Sequence, residues 1–98
     1  MQLFIDYRQE QVKLAGDVWE HIHEEHADVS QELIANCLRD PDEIRQSRKK
    51  SNSELYYLLR QGSRYTCVIV KRCSDGNFIE TAMTTSTLKE GKALYKKA

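Results

Sequence analysis

Tyr65-Thr-Cys-Val-Ile-Val-Lys-Arg-Cys-Ser-Asp-Gly-Asn-Phe-Ile-Glu-Thr-Ala-Met83 (YTCVIVKRCSDGNFIETAM) decides the fold. Residues 65–72 are rich in β-branched and aromatic side chains and apolar on both faces, the pattern of a strand in the middle of a sheet. Asp75–Gly76 supplies the positive backbone angles that a tight hairpin turn needs, and Phe78–Met83 reads as the returning strand. Upstream, Gln61–Gly62–Ser63 reads as another turn and Leu55–Leu59 as a further strand. Ile44–Arg48 adds a polar edge strand. Downstream, residues 87–98 read as a short closing helix.

Before Pro41 the period changes. Residues 3–7 (LFIDY) and 11–14 (QVKL) form two short strands around a polar turn. Trp19, Ile22 and His26 then recur at helical spacing, with Asp17 and Glu20 placed as a capping box. Ser30 caps a second helix whose apolar stripe is Leu33, Ile34, Cys37 and Leu38. That helix must end by Asp40, because proline disfavours helical geometry in the residue before it. The expectation is one α+β domain over residues 1–98. An N-terminal β-hairpin and two helices are followed by a four-stranded antiparallel sheet, with the helices packed on one face.

The chain is 98 residues long, with 15 basic and 15 acidic side chains. It is long enough for one modest core and too short for two domains. No apolar run approaches the ~18–20 residues of a membrane span, and Met1–Arg8 lacks the plan of a signal peptide. Cys37, Cys67 and Cys73 are odd in number and irregularly spaced, which points to a reduced, cytoplasmic chain with no disulfide framework. The charge is divided: residues 1–44 hold eleven acids and three bases, a net −8, and residues 45–98 hold twelve bases and four acids, a net +8. The basic half either attracts a polyanion such as RNA or neutralises the acidic half by packing against it.

His21, His23 and His26 raise the question of a metal. His23–Glu24–Glu25–His26 sets two histidines three apart where the zinc-protease motif requires four, and no further ligand set accompanies them. No metal or other cofactor is expected. His26 falls inside the apolar face, either as a core histidine or at the rim of a cleft where imidazole moves protons. Lys71 either reaches phosphate or snorkels to water. Thr81 lies mid-strand, where a threonine satisfies its hydroxyl locally, and the hydroxyl-rich run Thr84–Thr87 either caps the last helix or lines a phosphate site. Arg45 and Arg48 belong to a basic run, and Tyr57 is an aromatic that either packs or stacks on a base.

The order Trp19-x-x-Ile22-x-x-x-His26, Pro41-x-x-Ile44-x-x-Ser47, Tyr56–Tyr57, Val68–Ile69–Val70–Lys71, Phe78–Ile79-x-Thr81–Ala82-x-Thr84 and Gly91 resembles the phage-type branch of the Barnase–EndoU–colicin–RelE group of nuclease folds. Where that group often carries proline and glutamate after the helix histidine, this chain has Ala27–Asp28, and Met83 stands where an aromatic is common. The resemblance implies metal-independent cleavage of RNA by attack of the ribose 2′-hydroxyl on phosphate. It assigns His26 as acid or base, Lys71 to charge stabilisation, and Thr81 and Thr84 to orienting the phosphate. Arg45, Arg48 and Tyr57 become RNA contacts. An antitoxin or immunity protein is an implied partner. The alternative is a catalytically inactive module of the same fold that binds a protein or a nucleic acid.

Overall fold

The computed structural model describes residues 1–88 and 91–97. In chain order the elements are β1 (Gln2–Ile5), β2 (Gln11–Leu14), α1 (Gly16–Glu25), α2 (Gln31–Arg39), β3 (Glu43–Gln46), β4 (Ser53–Arg60), β5 (Arg64–Cys73), β6 (Gly76–Thr85) and β7 (Ala93–Lys96). All seven strands join one sheet in the order β1-β2-β6-β5-β4-β3-β7. Neighbours are antiparallel except β2 and β6, which run parallel at Lys13 and Phe78.

This overturns the expected four-stranded antiparallel sheet. The N-terminal hairpin is not a separate appendage, because Val12 and Leu14 are apolar on one face and are buried only by extending the sheet beyond β6. The expected closing helix over 87–98 is also replaced. Ala93–Lys96 instead pairs with β3 and directs Tyr95 toward the core beside Ile44, so β3 is not an edge. An exposed row of backbone donors and acceptors on β3 favours that pairing over an isolated helix. Lys89, Glu90 and Ala98, also within that expected helix, lie outside the described residues. Gly91 is shaped by the same junction: a Cβ there would collide with the carbonyl oxygen of Gln46, whose N–H donates to Lys92 O at 2.8 Å. Gly91→Ala should therefore cost about 1–3 kcal/mol, as overpacking does, read as a lowered urea midpoint.

Helix boundaries follow local chemistry. α1 begins one residue before Asp17, at Gly16, with Ala15 as its cap and no capping side chain, so the expected box at Asp17 does not form. Ser30 does cap α2, its Oγ accepting from Leu33 N–H at 3.1 Å.

The strands alternate between two apolar clusters. Tyr56, Val68, Val70, Ile79 and Ala82 pack with Ile22 of α1 and Ile34, Cys37 and Leu38 of α2. Leu55, Tyr57 and Cys67 form a smaller cluster on the opposite face with Tyr65, Ile69, Met83 and Leu88. The sheet is strongly curled around α2, which touches β1, β4 and β5. If flat, seven strands would hold the β1 and β7 edges ~29 Å apart, yet the Tyr7 ring just past β1 lies 4.8 Å from the Tyr95 ring of β7.

A polar network bridges the curl. Asp6 is fully buried. Its Oδ1 accepts from the N–H groups of Arg8 and Glu10, both at 2.9 Å. Its Oδ2 accepts from Tyr56 Oη at 2.9 Å and Arg72 Nη2 at 3.1 Å. Arg72 also reaches Glu54 at 2.9 Å and Glu10 at 3.0 Å. Burial pushes the Tyr56 phenol well above its ordinary pKa, so its proton is held in the network.

Candidate functional site at the β4–β5 tip

α1 stops at His26, whose N–H still donates to Ile22 O at 2.7 Å while its own backbone leaves the helical region. The chain folds back at once: Val29 N–H donates to His26 O at 2.9 Å, and Val29 is buried. This tight return fixes Asp28 between the helices and aims it at the end of the sheet. There Thr84 Oγ donates a short hydrogen bond to Asp28 Oδ2. Arg60 Nη1 donates to Thr84 Oγ at 3.2 Å and lies 3.8 Å from Asp28 Oδ2. The Thr84 hydrogen bond holds the Asp28 carboxyl below the usual carboxylate range, against a smaller opposing effect of burial; the charges of Arg60 and half-buried His26 add to the lowering.

Asp28, Arg60, Gln61, Arg64 and Thr84 line an open depression of about 500 Å³. The turn between the two arginines places Gly62 and Ser63 in the left-handed region, at φ 73° and 62°, which brings β4 and β5 together tightly. Arg60 and Arg64 are therefore directly opposed across the strands. Like charges in that position repel. Asp28 offsets Arg60, while Arg64 makes no salt bridge among the described residues. The arrangement suits a bound anion.

The four residues assigned to catalysis do not converge. Thr84 lines this depression, standing opposite Thr66 on the helix-bearing face, and His26 lies near enough to Asp28 for its charge to act on that carboxyl. Lys71 and Thr81 alternate onto the other face, Lys71 opposite Phe78 and Thr81 opposite Ile69. Lys71 is also five residues along β5 from Thr66, ~17 Å at strand rise. A register shift between Ile69 and Val70 leaves Glu80 as an extra residue in β6. Glu80 accepts from Ser53 Oγ at 2.6 Å and lies 3.4 Å from Lys50 Nζ.

Comparison with known proteins adds no relative to this picture. No family model, curated protein or solved structure matches the chain.

The residues assigned to RNA binding lie on the helix-free side. Arg45 pairs with Glu43, and Arg45 and Arg48 border a shallow depression with Gly91 and Lys92. Tyr57 offers no stacking platform, because it is fully buried with its ring edge-on to Tyr65 at 6.0 Å. Among the described residues no group of three His, Cys, Asp or Glu side chains is placed to hold a metal ion. His21 and His23 are exposed, the His23 ring 5.7 Å from that of Trp19. No described helix is long and apolar enough to cross a membrane.

Sequence reading missed Arg60, Arg64 and Asp28. The two arginines bracket the Gln61–Gly62–Ser63 turn, and that spacing is the signal: residues flanking a three-residue turn face each other.

Proposed function

We propose that the chain is a metal-independent endoribonuclease of the kind its motifs resemble, working at the β4–β5 tip rather than on the helix-free face. The observation that carries this reading is the gathering of Asp28, Arg60, Arg64 and Thr84 around one open depression beside His26. Two guanidinium groups match a phosphate's charge and its planar pairs of oxygens. Thr84 adds a hydroxyl to orient it. The ribose 2′-oxygen attacks phosphorus, the bond from phosphorus to the 5′-oxygen breaks, and a 2′,3′-cyclic phosphate and a 5′-hydroxyl result. That exchange needs one group to take the 2′ proton and one to protonate the leaving oxygen. Asp28, kept ionised, takes the first role, in the place where the group often carries glutamate; His26 takes the second. The arginines stabilise the charge that builds on the phosphate.

Cleavage of RNA by the purified protein in excess chelator tests this. Wild type should leave 2′,3′-cyclic ends, and His26→Ala should slow cleavage ~10²–10⁴-fold with an unchanged circular dichroism spectrum. Equal cleavage by both proteins, or none by wild type, ends the reading.

A second reading is favoured by one observation: Lys71, Arg45 and Arg48 sit apart from His26, on the helix-free face. There they bind RNA phosphates, or an acidic antitoxin or immunity protein, without turnover. Capture that survives His26→Ala and is lost in Lys71→Glu supports it. Three cysteines outside any disulfide, Cys37 and Cys67 buried, support a reducing, cytoplasmic setting for either function.

A further inference from the structure

The two edges of the sheet are treated differently. β7 carries Lys96 and is flanked by Lys92 and Lys97, and its pairing with β3 is interrupted by a register shift. Lysines and irregular pairing are the usual means by which an edge is kept from adding strands. β1 has neither. Gln2, Leu3, Phe4 and Ile5 carry no charge, and their pairing with β2 is unbroken from Gln2–Leu14 to Ile5–Gln11. Phe4 turns into the core. Leu3 and Ile5 turn out, 55% and 46% exposed.

Among the described residues, the backbone of β1 has no second strand to bond at the same two residues. Asp6 N–H donates to Glu10 O at 2.9 Å, which makes Asp6 and Glu10 a hydrogen-bonded pair. Such pairs alternate along an antiparallel ladder, so Phe4–Val12 and Gln2–Leu14 are bonded too. The N–H and C=O groups of Leu3 and Ile5 therefore point away from β2, toward the open side.

We propose that β1 is a self-association edge, and that its occupant is β1 of a second copy of this chain, paired antiparallel about a two-fold axis. Such an interface must be self-complementary, and this strand is. Leu3 and Ile5 of one copy fall beside Ile5 and Leu3 of the other, so outward backbone groups meet outward backbone groups and four exposed side chains share one face. No charge on the strand opposes the pairing. Lys13, opposite Leu3 on β2, is three strand spacings, ~14 Å, from its counterpart in the second copy, beyond the ~8 Å screening length at physiological salt. One short strand pair and four side chains fall below the ~1,200 Å² of a standard stable interface, so the dimer is weak and exchanges with monomer.

Sedimentation velocity on the full chain, from micromolar to millimolar concentration, tests this. Wild type should move from monomer to dimer mass. Leu3→Lys and Ile5→Lys should each remain monomeric at the highest concentration. Leu94→Lys, on the opposite edge, should associate as wild type does. Spectra that match wild type establish that each variant is folded, and either lysine variant alone suffices. A wild type that stays monomeric throughout, or dimers that persist in a folded lysine variant, overturn the proposal.

Discussion

Asp6→Ala should cost the fold about 3–5 kcal/mol, the usual consequence of removing one partner from a buried ion pair. A domain of this size is stable by only ~5–15 kcal/mol, so the variant should be near its unfolding threshold at physiological temperature. The cause is not the loss of one contact. Asp6 Oδ1 holds two backbone N–H groups of the first hairpin, and Oδ2 accepts hydrogen bonds from Tyr56 and Arg72. Removing the carboxylate leaves Arg72 with only Glu54 and Glu10 as ion-pair partners and leaves the buried Tyr56 O–H without its acceptor. Asp6→Asn keeps the shape and some of the acceptors, and should be damaged less. Urea midpoints of the three proteins measure the order, and a midpoint for Asp6→Ala equal to wild type would show that the network is not coupled to folding.

Ile34→Ala should follow closely, at about 2–5 kcal/mol. Ile34 is fully buried in α2, and the curled sheet backs that helix from β1, β4 and β5. Cavities collapse cheaply only where a neighbour is free to move. Here the neighbours are strands locked in register, so the upper half of the range is expected. Ile34→Val should lose only about 0.5–1.5 kcal/mol. A midpoint for the alanine variant within that smaller range would mean that the helix relaxes into the space.

The central hairpin was legible because its signals are local. Asp75–Gly76 demands a turn, and residues 65–72 have the composition of a strand buried on both faces. Pro41 and Ser30 mark helix limits for equally local reasons. The sheet's extent was not legible. Nothing in Gln11–Leu14 says that its partner is Phe78, since alternation gives a strand its faces but not its neighbour. The misread C-terminal segment has the same origin: Tyr95 is drawn to a strand by the open side of β3, a feature absent from residues 87–98 themselves.

The candidate site divides along the same line. His26 and Thr84 were found by their types: Thr84 lines the depression at the tip, and His26 lies two residues before Asp28, which lines it too. Lys71 and Thr81 were found in the same way and fall on the other face, because the sheet's two faces alternate residue by residue and the extra Glu80 in β6 shifts that alternation midway. Arg60 and Arg64 passed unnoticed among the basic residues, although their positions on either side of Gly62 set them in opposition.

The parallel contact between Lys13 and Phe78 bears on the order of events during synthesis. The first hairpin and both helices leave the ribosome long before β6 exists, so their apolar faces must wait for most of the chain to be translated. Pairing so distant in sequence slows folding and exposes the waiting segment to misassociation. Newly made chains cut short before Phe78 should therefore be caught by chaperones or degraded.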